Sequence, residues 1–144
     1  MNQSDRVFID SNVPMYAVGR EHAYKAPSVA VLERAARGDF EAVTSSEVHQ
    51  EILHRFLALR LPTQARQISE HFHGAVPAVL PVTIDDVARA RTLSITYPNL
   101  PARDLIHVAV MLNSGVTSIL SADRHFDTVA EILRIDPITA WGKL

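Results

Sequence analysis

Four carboxylates hold the chemistry on offer in this 144-residue sequence: Asp10, Glu51, Asp104 and Asp123. Asp10 directly follows the β-branched and aromatic run Val7-Phe8-Ile9, and Asp123 closes the stretch Ile119-Leu120-Ser121-Ala122. Asp104 falls in the first turn of a helix opened by Pro101, and Glu51 lies inside a helix that follows a second strand. In open α/β sheets ligands bind outside the carboxyl ends of the strands, so acids from four separate places can converge there. Several carboxylates in one cleft repel one another and their pKa values rise. Mg²⁺ or Mn²⁺ resolves that repulsion, because each is a hard cation that takes oxygen ligands and completes its shell with waters and substrate phosphates. Such an ion activates water and stabilises the leaving oxygen of a phosphodiester.

Taken singly, each acid has an ordinary explanation. Asp104 suits a first helical turn through the helix dipole. Asp10 could cap a helix, and Asp123 could sit in a turn. Glu51 has Glu47 and Arg55 four residues either side, the spacing of a surface ion pair. Asp127 reads most simply as an N-cap for the segment after it. The joint arrangement is what points to a site. His107, three residues after Asp104, reads as a packed histidine in preference to one that orients the carboxylate. Other chemistries lack their residues. Glu51-Ile52-Leu53-His54 has the Glu-x-x-His spacing of di-iron helices but no second copy, and the glycine-rich phosphate loops and the Gly-x-Ser-x-Gly elbow are missing.

Composition sets the bounds. A chain of 144 residues, 47% hydrophobic and 21% charged, is one ordinary globular domain, expected to span 1–144. With no cysteine there is no disulfide framework and no thiolate zinc site. No apolar run approaches the roughly 18 residues that span a membrane, and the N-terminus lacks a signal peptide's apolar core. The expectation is a cytoplasmic protein that does not engage a membrane. Net charge is −2, but with four acids set aside for a metal the remaining Asp and Glu are outnumbered by 14 Lys plus Arg. Those cations are spread along the chain, and no basic tract marks a nucleic-acid face.

The elements that position the acids follow from periodicity. Strands are expected at 6–10, 41–44, 79–82, 116–120 and 132–135, the third at an edge because Pro81 cannot sit in a central strand. Helices are expected from Asn12 as cap to about Val18, and from Ala26 to Arg37 with a stop at Gly38. A helix capped by Ser45 or Ser46 carries Val48, Ile52, Leu53, Phe56 and Leu59 on one side, and a partner capped by Thr63 runs to about Phe72. Loop is expected from His73 to Pro77. Thr83 caps a helix bearing Val87, Ala90, Leu93 and Ile95, and Pro101 opens the last helix, which Gly115 stops. Arg124-His125-Phe126-Asp127 is a loop or single turn. Short apolar strands alternating with helices argue an α/β fold, a central parallel sheet of four to five strands flanked by helices.

Four segments then carry a resemblance: Phe8-Ile9-Asp10-Ser11-Asn12-Val13, Thr44 to Ile52 around Glu51, Ala102-Arg103-Asp104-Leu105-Ile106-His107-Val108-Ala109, and Ile119-Leu120-Ser121-Ala122-Asp123-Arg124-His125-Phe126-Asp127. In order and spacing, from Val7 to about Ile135, the chain resembles PIN domains, in particular the VapC-type ribonuclease toxins of toxin–antitoxin pairs. The resemblance implies a metal-dependent endoribonuclease whose acidic quartet is Asp10, Glu51, Asp104 and Asp123. Asp10 and Asp104 match the most direct Mg²⁺ (or Mn²⁺) ligands, Asp123 helps hold that ion or a second, and Glu51 positions or deprotonates the attacking water. Ser121 matches a supporting hydroxyl position, and Asn12 and Asp127 match commonly polar ones. Pro14 and Ser121 depart from the residues usual at their positions.

It implies, too, an RNA substrate, a small VapB-type antitoxin with basic residues entering the acidic site, and a homodimer. The Ser45–Phe72 hairpin is the expected antitoxin groove. In-line attack by water would leave a 5′-phosphate and a 3′-hydroxyl. The alternative within the fold is a catalytically silent PIN-like module binding RNA or an antitoxin, against which the intact quartet argues. A phosphatase or receiver domain fits less well, because Asn12 stands where such a phosphatase has its second Asp.

Overall fold

Three apolar residues, Val7–Ile9, form the central strand β1, and all three are buried. The computed structural model describes residues 5–142. In order, β1 is followed by α1 (Asn12–Val18), α2 (Lys25–Arg37), β2 (Ala42–Ser45), α3 (Ser46–Ala58), α4 (Pro62–Ala75) and β3 (Val79–Leu80). Then come α5 (Ile84–Thr96), α6 (Ala102–Asn113), β4 (Ser118–Leu120), a 3-10 turn at Arg124–Thr128, β5 (Leu133–Ile135) and a second 3-10 turn at Pro137–Gly142. The five strands form one sheet in the order β3-β2-β1-β4-β5, and every pairing is parallel. Strands covered on both faces by helices read as continuous apolar runs, which is how β1 and β4 read.

The topology creates the site. From β1 the chain moves outward to β2 and β3, then returns across β1 to build β4 and β5. The strand order therefore reverses between β1 and β4, and a crevice opens at the carboxyl ends of that pair. Register decides which residues meet there. Ile9 pairs with Leu120, and Leu120 with Ile135, so Asp10, Ser121 and Asp136 leave the sheet side by side. Asp10 N–H still donates to Leu120 O at 3.0 Å.

Local chemistry fixes the helices. Gly38 ends α2 in the left-handed region at φ 76°, and Gly115 turns α6 toward β4 at φ 73°. Thr83 and Asp86 form a reciprocal capping box at the start of α5. Ser45 caps α3 by accepting from Val48 N–H. The core joins Phe8, Ile9, Val31, Ile52, Val108, Met111, Ile119, Leu120 and Phe126, all fully buried.

Several expectations shift. Helix α1 begins at Asn12 itself, with Ser11 before it, and the Asn12 side chain is spent on the site. Pro62 is the first residue of α4, so Thr63 is inside the helix. That helix runs on to Ala75, where a loop was expected, because buried Phe72 and Val76 hold its last turn through Val76 N–H to Phe72 O at 2.8 Å. Pro101 is the cap of α6, not its first residue. Ile95, 81% exposed, is off the core face of α5, since two residues after Leu93 is nearly the opposite side of a helix. Leu53 and Leu59 are exposed as well, the latter because α3 ends at Ala58. Among the described residues no helix is long and apolar enough to cross a membrane.

Candidate active site

Asp10 is fixed on both carboxylate oxygens. Ser11 N–H donates to Oδ1 at 2.8 Å, and Oδ2 accepts the Ser121 hydroxyl at 2.6 Å and the Asn12 amide at 3.1 Å. Asn12 Nδ2 also reaches Ser121 Oγ at 2.9 Å, and Asn12 Oδ1 accepts from Ala122 N–H at 3.2 Å. Ser121 Oγ accepts in addition from Asp123 N–H at 3.0 Å. Asn12 and Ser121 therefore tie the end of β1 to the end of β4 across the crevice. Burial pushes the Asp10 carboxyl up, with Glu51 adding to the rise, although His107, Ser121 and Ser11 oppose it.

Glu51 reaches the same crevice from α3. Its Oε2 accepts the Ser11 hydroxyl at 3.2 Å, and its Oε1 is paired with His107 Nε2. His107 is fully buried and stands 3.8 Å from Asp10 Oδ1. Burial alone would depress the imidazolium, but the Glu51 hydrogen bond and the charges of Asp10, Glu51 and Asp104 outweigh it and raise its pKa. The expectation of a merely packed histidine is thus corrected: the ring does pack, tilted, 5.5 Å from Phe8, yet its Nε2 joins two of the four acids. Among the described residues its Nδ1 has no partner. Glu47, one turn earlier on α3, makes none of these bonds; burial pushes its carboxyl up as well.

Asp104, in the first turn of α6, is half-buried. Burial, reinforced by the charges of Asp10, Asp123 and Glu51 and opposed by His107, raises its pKa to about 6. Asp123 accepts on Oδ1 from His125 N–H at 2.9 Å, and His125 Nδ1 lies 3.1 Å from the same oxygen. Asp123 caps the 3-10 turn, and Asp127 lies inside that turn with no helix directly after it to cap. Asp127 is exposed and held by Arg134 at 2.8 and 3.2 Å, and that guanidinium also donates to Ser121 O at 3.0 Å. Asp127 thus reaches the crevice only through Arg134.

Metal-ligating atoms converge in two groups: buried Asp10, Glu51 and His107, and the more open Asp104, Asp123 and His125, each set within 4.8 Å of one another. The four predicted acids share one electrostatic neighbourhood, since Asp104 senses the other three. The residues suit a hard divalent cation, for carboxylate oxygens dominate and cysteine is missing. Sequence reasoning missed both histidines as site members. For His107 the signal was its place in the apolar run Leu105–Met111, where a buried imidazole needs a partner. For His125 it was the spacing, since an Asp side chain bonds the backbone two residues on.

Residues 7–132 match the PIN domain family. Ribonuclease VapC13 of Mycobacterium tuberculosis is 39% identical over 129 residues, which cover 90% of this chain and 98% of the relative. The chain belongs to the PIN domain family, among the VapC ribonucleases. Ribonuclease VapC23 of the same species is also 39% identical, over 81% of this chain and 92% of its own length. The fold recurs in solved structures of lower identity. VapC20 of M. tuberculosis, a sarcin–ricin loop cleaving toxin, aligns with TM-score 0.70 at 15% identity over 88% of this chain and 96% of its own. VapBC2 from Rickettsia felis, bound to a promoter DNA fragment, aligns with TM-score 0.71 at 13% identity over 90% and 97%. In this PIN domain the quartet sits at the sheet's switch point, and two histidines line it.

Proposed function

We propose that this chain is a divalent-metal-dependent endoribonuclease of 144 residues in one domain, acting in the cytoplasm as the toxin of a toxin–antitoxin pair. The observation that carries this reading is that Asp10, Glu51, Asp104 and Asp123, from four elements, fall into two ligand groups at the β1/β4 crevice, with Asp104 within electrostatic reach of the other three. Asp10, Asp104 and Asp123 would hold Mg²⁺, with Mn²⁺ able to replace it. When bound, the ion supplies positive charge to the scissile phosphate and makes water a better nucleophile. Ser121 and Asn12 keep Asp10 aimed into the crevice. His107 occupies Glu51 Oε1, which leaves Oε2, with its longer 3.2 Å contact to Ser11, to orient water and take its proton. In-line attack leaves a 5′-phosphate and a 3′-hydroxyl. Asp10→Asn and Asp104→Asn should each lower RNA cleavage by about a thousandfold or more with the circular-dichroism spectrum retained. A folded double variant that cleaves at the wild-type rate contradicts the assignment.

The partner reading rests on the named relatives and on an apolar groove. VapC-fold chains occur in structures of toxin–antitoxin complexes, among them VapBC from Salmonella typhimurium. Here a groove of about 310 Å³ runs between α1, α2 and α4, lined by Pro14, Ala17, Val18, Val29, Leu32, Ile68 and Phe72. It suits the apolar face of an antitoxin helix. Of the expected Ser45–Phe72 hairpin only α4 lines it; α3 does not. Pairing with a second copy of the chain belongs to the same proposal.

A further inference from the structure

Three aromatic rings outside the carboxylate cluster lie nearly parallel. Tyr16 and His22 have centroids 4.7 Å apart at 28°, Tyr16 and Tyr24 5.2 Å at 30°, and His22 and Tyr24 5.9 Å at 16°. His22 is exposed and both tyrosines are half-buried, so the cluster keeps aromatic surface in solvent. The arrangement is held from both ends by the site. Tyr16 is one helical turn beyond Asn12 on α1, on the face that carries the amide bound to Asp10 and Ser121. The Tyr24 hydroxyl donates to Asp136 Oδ2 at 2.7 Å; Arg134 donates to the same oxygen at 3.2 Å and to Ser121 O at 3.0 Å. Between them, Tyr24 N–H donates to His22 Nδ1 at 3.1 Å, which orients that ring and leaves the proton on Nε2.

We infer that Tyr16, His22 and Tyr24 form a stacking platform for an unpaired nucleobase of the RNA and seat the strand beside the carboxylates. This deepens the ribonuclease reading and rests on it. Even with one divalent ion among them, four acids leave the crevice without net positive charge, and the chain as a whole carries −2, so affinity for the rest of the strand must come from outside the crevice. Base stacking supplies affinity with little dependence on sequence, and single-stranded RNA is recognised through bases splayed onto aromatic faces. Cations flank the rings. Arg20 lies in the same loop as His22, and Arg124 follows Asp123 and lies close enough to act on the Tyr24 hydroxyl. Both are exposed, although the Arg124 charge also acts on Asp127. An aromatic face with exposed arginines beside it favours a base and its phosphate over an apolar peptide.

The test uses the full chain carrying Asp104→Asn, to prevent cleavage, and a fluorescein-labelled single-stranded RNA of about eight nucleotides, within the site size of such grooves. His22→Ala and Tyr16→Leu should each weaken binding roughly tenfold, whereas Tyr16→Phe, which keeps the ring, should not. With an abasic residue walked along the oligonucleotide, one position should weaken binding to the parent protein by a similar factor and abolish the further effect of His22→Ala. Unchanged affinity in His22→Ala and Tyr16→Leu overturns the platform, as does a loss that persists undiminished at every abasic position. Unchanged RNA affinity with weakened antitoxin binding overturns it too, assigning the rings to a protein partner. Failure of the Asp104→Asn parent to bind RNA overturns the platform, which should supply affinity without that carboxylate, whereas absence of RNA cleavage by the wild-type chain in Mg²⁺ defeats the ribonuclease reading on which the platform rests.

Discussion

Asp10 and Asp104 face the same crevice under different constraints. Asp10 is fully engaged, and its strongest contact is the Ser121 hydroxyl at 2.6 Å. Ser121→Ala removes that donor from a buried carboxylate and a partner from Asn12, and should cost about 1–3 kcal/mol of stability in urea unfolding. Asp104 is held chiefly by its environment, with a carboxyl pushed up to about 6. Because that value lies above the ordinary one, the folded chain keeps a proton that the unfolded chain releases, and the resulting stability is lost as pH rises through 6. In the metal-free protein, Asp104→Asn should therefore match wild-type stability at pH 3.5 and exceed it at pH 7.5, by about 1 kcal/mol after discounting for partial exposure. His107, also raised, loses its contribution with rising pH in the same sense. Asp10, Asp104 and Asp123 were legible in the sequence because strand ends and a helix start are positional signals, whereas Glu51, inside a helix at ordinary ion-pair spacing, stood out only through the family resemblance. His107 was not, because Glu51 is its partner from 56 residues away, and no local pattern reports a contact of that range.

Helix α6 does two jobs from adjacent turns: Asp104 enters the open ligand group and His107 the buried one. His107→Phe keeps an aromatic ring against Phe8 but frees Glu51 Oε1. It should lower kcat by about 10–100-fold, with KM little changed and the fold retained by circular dichroism. An unchanged kcat would reduce His107 to a packing residue. Gly38, at φ 76°, meets nothing within 4 Å of a built Cβ, so Gly38→Ala should cost only the left-handed strain, about 1 kcal/mol in thermal or urea unfolding. The stops at Gly38 and Gly115 and the Thr83 cap were readable because a single residue type dictates each. The far end of α4 was not: polar His73 and Gly74 suggest a loop, while burial of Phe72 and Val76 extends the helix through them. Tertiary packing outweighs local preference there, as it does in turning the Asn12 side chain from a cap into a brace for Asp10.

On the scale of the molecule, a parallel sheet of four to five strands was expected from alternation, but the order of the strands was not in the pattern. The return across β1 that places β4 beside it is a long-range pairing, and the crevice depends on it. The same layout puts the apolar α1/α2/α4 groove on helices that flank the sheet, with Val18 half-exposed at its rim. Val18→Asp should weaken antitoxin binding in calorimetry by about tenfold or more while leaving RNA cleavage by the free chain intact. The central claim, that the clustered carboxylates hold a divalent ion to hydrolyse RNA, is tested most directly by the ends of the product. In Mg²⁺ the cleaved RNA should carry a 5′-phosphate and a 3′-hydroxyl, and EDTA should abolish the reaction. Cleavage that continues in EDTA and leaves a 2′,3′-cyclic phosphate would contradict the account, because it would make the Glu51–His107 pair an acid–base couple acting without metal.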